Sequence, residues 1–105
     1  TLPEEAYSLQ GFLPPKKGRQ TRIRQIAESE ITVVCYESPH KLVRLLEELH
    51  TYCEGSRLIC IARELTKRFE QAQRGELDSL VRYWSENKPK GEFVVVVSGR
   101  GYSEE

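Results

Sequence analysis

This sequence of 105 residues has no charge of one sign to spare. Sixteen basic residues face sixteen acidic ones, so no overall field commits the chain to nucleic acid or to a membrane surface. Cysteine is scarce: the three, Cys35, Cys53 and Cys60, are an odd number without a two-residue spacing, which argues against a disulfide framework and a metal site. Cys35 and Cys60 sit inside apolar runs, where a thiol serves as a small buried hydrophobe. A reducing, cytoplasmic setting is therefore expected. No apolar run approaches the roughly 20 residues of a membrane span, and no secretory leader is visible. Also missing are a glycine-rich phosphate loop, a metal-spaced cluster of histidines and carboxylates, a serine–histidine–aspartate order and any internal repeat. The first residue is Thr1 and the opening is turn-like, so residues 1–5 are expected to be a linker from a preceding domain.

What is present is an alternation of strand-like and helix-like segments. Residues 6–10 alternate, with Tyr7 and Leu9 on one face, and Gly11 with Pro14 and Pro15 is expected to break that strand. Residues 19–29 carry a narrow helical stripe of Ile23, Ile26 and Ala27. The run 31–36 is β-branched and aromatic, and Leu42, Leu45, Leu46, Leu49 and Tyr52 then recur at helical spacing. Between them stands Glu37-Ser38-Pro39-His40, in which Ser38 is a candidate helix cap and Pro39 suits a first helical position. Gly55 is a plausible stop for the long helix. Residues 58–62 form a continuous apolar run, the mark of a strand covered on both faces. The segment 69–74 is ambiguous between strand and helix. Leu77, Leu80, Val81 and Trp84 define a further helix, residues 93–97 a final strand, and residues 99–105 a flexible tail. The reading is a single α/β domain over 6–98, a mixed sheet of about five strands flanked by helices.

Polar residues gather where apolar strands end. If the strands ending near Tyr36 and Ala62 are parallel neighbours, Glu37 and Glu64 emerge on one sheet edge, with His40, Arg63 and Lys67 beside them. Capping and surface ion pairing is the alternative. Lys16, Lys17, Arg19, Arg22 and Arg24 form a basic run, with no acid until Glu28, that is either a solvated helix face or a phosphate-contacting patch.

Five blocks together resemble the ribosomal RNA small subunit methyltransferase I family, within the tetrapyrrole-methylase superfamily. They are Gly11-Phe12-Leu13-Pro14 with lysines following, Tyr36-Glu37-Ser38-Pro39-His40-Lys41-Leu42, Ala62-Arg63-Glu64-Leu65-Thr66-Lys67 with Glu70, Arg74-Gly75, and Gly91-Glu92-Phe93-Val94. The resemblance is to the family's C-terminal half and implies an S-adenosylmethionine cofactor, shared with an N-terminal domain carrying a glycine-rich loop. It implies a homodimer and methylation of a cytidine ribose 2′-hydroxyl in the RNA of the small ribosomal subunit. The cofactor residues implied are Tyr36, Glu37, Ala62, Arg63, Glu64, Gly91, Glu92 and Phe93. Glu37, His40 and Glu64 are the candidate catalytic groups, and Lys16, Lys17, Arg22, Arg24 and Lys67 the RNA contacts. A porphyrinoid methyltransferase domain and a non-catalytic binding or dimerisation module are the alternatives.

Overall fold

The computed structural model describes residues 7–64, 69–87 and 90–102. Its elements follow the expected alternation: β1 (Tyr7–Phe12), α1 (Arg19–Glu28), β2 (Thr32–Glu37), α2 (Leu42–Tyr52), β3 (Leu58–Glu64), β4 (Phe69–Glu76), α3 (Leu77–Glu86) and β5 (Glu92–Val97). The ambiguous segment beginning at Phe69 is a strand, fixed by antiparallel pairing along the whole of β3. The linker expected over 1–5 and Lys67 lie outside the described residues.

The five strands form one mixed sheet in the order β1-β2-β5-β3-β4. β1 and β2 are parallel, and every other neighbouring pair is antiparallel. The two strands expected to be parallel neighbours, β2 and β3, do share a direction but are not adjacent. β5 inserts between them, its valines pairing with β2 on one side and with β3 on the other. β1 does not stop at Gln10; a register shift between Leu9 and Gly11, with Gly11 at φ 69°, lets pairing continue to Phe12.

All three helices lie on one face. α1 packs on α2 and α2 on α3. A single core joins Ile23, Ile26, Ala27, Leu42, Leu45, Leu46, Leu49, Leu77, Leu80 and Trp84 to Val33, Cys35, Ile59, Ile61, Phe93, Val95 and Val97. Those strand residues alternate, so the intervening set of Val34, Tyr36, Cys60, Ala62, Val94 and Val96 faces the other way. Among the described residues no helix covers that second face. At its β1 margin Tyr7, Leu9 and Phe12 are 45%, 60% and 65% exposed. The expectation of a sheet covered on both faces thus holds for one face of the described structure. No helix in the described residues is long and apolar enough to cross a membrane.

Local punctuation also differs from expectation. α2 begins at Leu42 rather than just after Ser38, and Lys41 at its cap makes no side-chain capping bond. The Ser38 amide instead donates to Glu37 Oε1 at 2.9 Å, and the Lys41 amide to the Ser38 carbonyl at 3.1 Å, closing a separate turn. α2 ends at Tyr52, and Gly55 has another duty: a Cβ there would overlap the Asp78 carboxylate, and its carbonyl accepts the Asp78 amide at 2.9 Å. The tail expected from residue 99 is held through Tyr102. Gly99 packs on Glu30, and the Arg100 amide donates to the Ser29 carbonyl at 2.8 Å. Residues 103–105 lie outside the described residues.

Candidate functional site at one end of the sheet

Because β2 and β3 run one way and β5 runs back between them, the ends of the first two and the start of the third share an edge. Glu37 pairs with Phe93, and Phe93 with Arg63; one row in, Tyr36 pairs with Val94, and Val94 with Ala62. Glu92 pairs with Glu64 at the rim. Three blocks far apart in sequence are thereby brought into one strip of backbone. Their side chains are not brought together. Glu37, Phe93 and Arg63 point into the helix layer, whereas Tyr36, Val94 and Ala62 point to the face without helices. The Tyr36 ring sits edge-on to Phe12, with centroids 5.6 Å apart. Gly91, at φ 86°, leads the chain into β5.

Glu37 is 4% exposed, and its carboxylate lies beside the buried guanidinium of Arg19, Nη2 to Oε2 at 3.5 Å. Arg19 also donates from Nε to both oxygens of Glu48, at 2.9 and 3.1 Å, and from Nη1 to the Pro14 carbonyl at 3.2 Å. Burial alone would lower the Arg19 pKa, but hydrogen bonds to Glu48 and the charges of Glu48 and Glu37 outweigh it and raise the value. Glu37 therefore ties β2 to α1 and α2 and is not an exposed edge carboxylate. Sequence reasoning missed Arg19, whose place in a basic run suggested solvent. Its one distinguishing signal is its position four residues before Ile23, which puts it on the buried stripe of α1.

The remaining candidates are dispersed along the same end. His40 is exposed in the turn before α2. Glu64 is placed by its backbone at the end of β3. Lys16 and Lys17 are exposed in the β1–α1 connection, which leaves the sheet at this edge. Arg22 and Arg24 are exposed further along α1. There Arg22 Nη1 donates to Gln10 Oε1 at 2.7 Å, and the Arg24 guanidinium lies 5.8 Å from the Tyr52 ring centroid.

No protein-family model matches the chain. The chain is 40% identical over 99 residues to a ribosomal RNA small subunit methyltransferase I of Synechocystis sp., a match covering 93% of this chain and 36% of that protein. Proteins of the same name from Vibrio cholerae and Escherichia coli are each 40% identical, over 93% and 99% of this chain and 35% and 37% of their own length. The chain thus spans about a third of the length of the curated relatives it matches. Among solved structures, the methyltransferase CobJ superposes with a TM-score of 0.66 at 22% identity, covering 95% of this chain and 44% of that one. A cobalamin biosynthetic enzyme, the cobalt precorrin-4 methyltransferase CbiF, gives 0.58 at 13%, covering 93% and 43%. At these identities the structural likeness concerns the fold.

Proposed function

We propose that this chain, homologous to a segment of ribosomal RNA small subunit methyltransferase I, is the C-terminal domain of an S-adenosylmethionine-dependent rRNA methyltransferase and forms one wall of its cofactor cleft. The observation that carries this reading is the row Tyr36–Val94–Ala62 at the end of a sheet face that no described helix covers. The row fits an adenosine. Val94 and Ala62 offer an apolar floor, the small Ala62 leaves room above it, and the Tyr36 ring forms a margin steadied by Phe12. Gly91 brings backbone without a Cβ to the adjoining rim, with Glu92 beside it, so main-chain groups there are accessible to a purine edge.

Bound S-adenosylmethionine would supply an electrophilic methyl group; this chain's residues would bind its adenosine end and shut out water. Lys16, Lys17, Arg22, Arg24 and Lys67 would meet RNA phosphates, contacts that position rather than specify. The substrate proposed is a cytidine ribose 2′-hydroxyl of the small ribosomal subunit, in the cytoplasm. His40, exposed beside the strip, is the better proton acceptor, since the Glu37 carboxylate is held by Arg19. The remaining two thirds of the full-length protein would supply the facing wall and its glycine-rich loop, and a second copy would complete a homodimer. A porphyrinoid substrate is the weaker reading, because the 40% identities go with rRNA methyltransferases, whereas those to CobJ and to the cobalt precorrin-4 methyltransferase CbiF are 22% and 13%.

The test is calorimetry with S-adenosylmethionine on the full-length protein and its Ala62→Trp variant. A tryptophan at 62 fills the row, so cofactor binding and methyl transfer to small subunits should both be lost at an unchanged melting temperature. Unaltered affinity in Ala62→Trp would overturn the assignment of this face.

A further inference from the structure

The same sheet end carries a second concavity, on the helix side, that the cofactor strip does not use. It is a cavity of about 590 Å³, within the size range of small-ligand sites. Ile61 and Phe93 form its floor, Trp84 and Tyr83 of α3 one wall, and Arg63 and Lys90 bring two cations to it. Its aromatic wall is preset. Trp84 Nε1 donates to Gln73 Oε1 at 2.9 Å, and the Trp84 ring stands edge-on to Phe93 at 5.5 Å and to Tyr83 at 5.0 Å. The series ends in Tyr83, 45% exposed.

We propose that this cavity is a subsite for one unstacked nucleotide of single-stranded RNA, its base against Tyr83 and its phosphate at Lys90 and Arg63. The proposal rests on the rRNA reading above and adds a place where this chain holds its substrate. Two observations carry it. Ring surface and cationic groups share one cavity, the pairing that single-stranded nucleic acid rewards through stacking and phosphate neutralisation. The cavity also lies on the opposite side of the sheet from Tyr36, Val94 and Ala62, so nucleotide and adenosine would not compete. Arg63 is also engaged within the protein, so the decisive residues are Tyr83 and Lys90, both exposed.

The experiment measures anisotropy of a short fluorescein-labelled single-stranded RNA with the full-length protein across a salt series. Tyr83→Ala should weaken binding roughly tenfold, the loss of one stacked base, with an unchanged salt slope. Lys90→Gln should reduce that slope by about 0.7, one phosphate contact on a single strand. Tyr83→Phe should bind as the parent does, and all three variants should melt with it, which a merely structural role for Tyr83 would not produce. RNA binding that is normal in both Tyr83→Ala and Lys90→Gln, but weakened by replacing Lys16 and Lys17, would overturn the cavity and leave the rRNA reading intact. A parent protein that binds no RNA, yet in which cytidine monophosphate protects Tyr83 from nitration, would overturn the rRNA reading and keep a nucleotide site. Absence of both effects would overturn the two together.

Discussion

Replacing Arg19 with methionine tests the internal charge network directly. Arg19 is about 1% exposed, and its guanidinium stands between Glu37, itself 4% exposed, and Glu48. Methionine keeps the volume of the side chain and its packing under α1 but removes the charge. Glu48 retains Arg44 at 3.5 Å and partial access to water. Among the described residues, Glu37 then keeps the Ser38 amide as its donor, at 2.9 Å. An uncompensated buried carboxylate costs about 3–5 kcal/mol, against a total of about 5–15 kcal/mol for a domain. With roughly 4 °C or more per kcal/mol at this size, the melting temperature should fall by at least ~12 °C. The double variant Arg19→Met with Glu37→Leu should recover most of the loss, since apolar replacement of a whole buried pair is often near neutral. Circular dichroism melts and urea titrations of the four species provide the cycle. A single variant melting within ~2 °C of the parent, a shift worth about half a kcal/mol, would show that Glu37 is not a buried partner of Arg19.

Two further outcomes follow from the same packing. The Cys35 thiol is pushed up to about 12, chiefly by burial and then by the Glu37 charge. At pH 8 its thiolate is on the order of one in ten thousand, so iodoacetamide should leave it unmodified until the chain unfolds. Cys60, half-buried on the face without helices, should alkylate first in this chain and become protected in the full-length protein; mass spectrometry of the peptides reads both. Gly99→Ala should destabilise by about 1–3 kcal/mol, because its Cβ would overlap the Glu30 backbone carbonyl, which cannot swing away as a side chain would. Gly101, whose Cβ would meet nothing within 4 Å, is the control in the same denaturant titration, sensitive only to its φ of 85°.

The fold was legible wherever a periodicity had one burying surface to answer to. α2 reads cleanly because Leu42, Leu45, Leu46 and Leu49 are all fully buried against one sheet face. α3 reads for the same reason through Leu77, Leu80 and Trp84. β4 did not, since an edge strand with the sequence FEQAQRGE draws its order from pairing with β3 rather than from an apolar face of its own. Strand order was likewise out of reach. Nothing local to the valines of β5 says that they part β2 from β3, a choice made by pairing with strands distant in the sequence.

For the candidate site, the sequence placed its polar motifs at strand ends and could not assign their sides. Each motif there is a strand end, and a strand end gives neighbouring residues to opposite faces. Tyr36 and Glu37 are adjacent in one block, yet one borders an uncovered sheet and the other is sealed beneath Arg19. Ala62 and Arg63 divide in the same way, with Ala62 in the open row and Arg63 in the cavity under α3. A block of this kind therefore encodes two surfaces at once. If cofactor and RNA take opposite faces of these three strand ends, each block answers to both, and a substitution at one residue should disturb one ligand and spare the other. Ala62→Trp would then abolish cofactor binding while leaving RNA affinity intact, and Tyr83→Ala, beneath the opposite face, would weaken RNA binding roughly tenfold while leaving cofactor affinity intact. Two variants that each lost both ligands would show instead that the edge works as one undivided site.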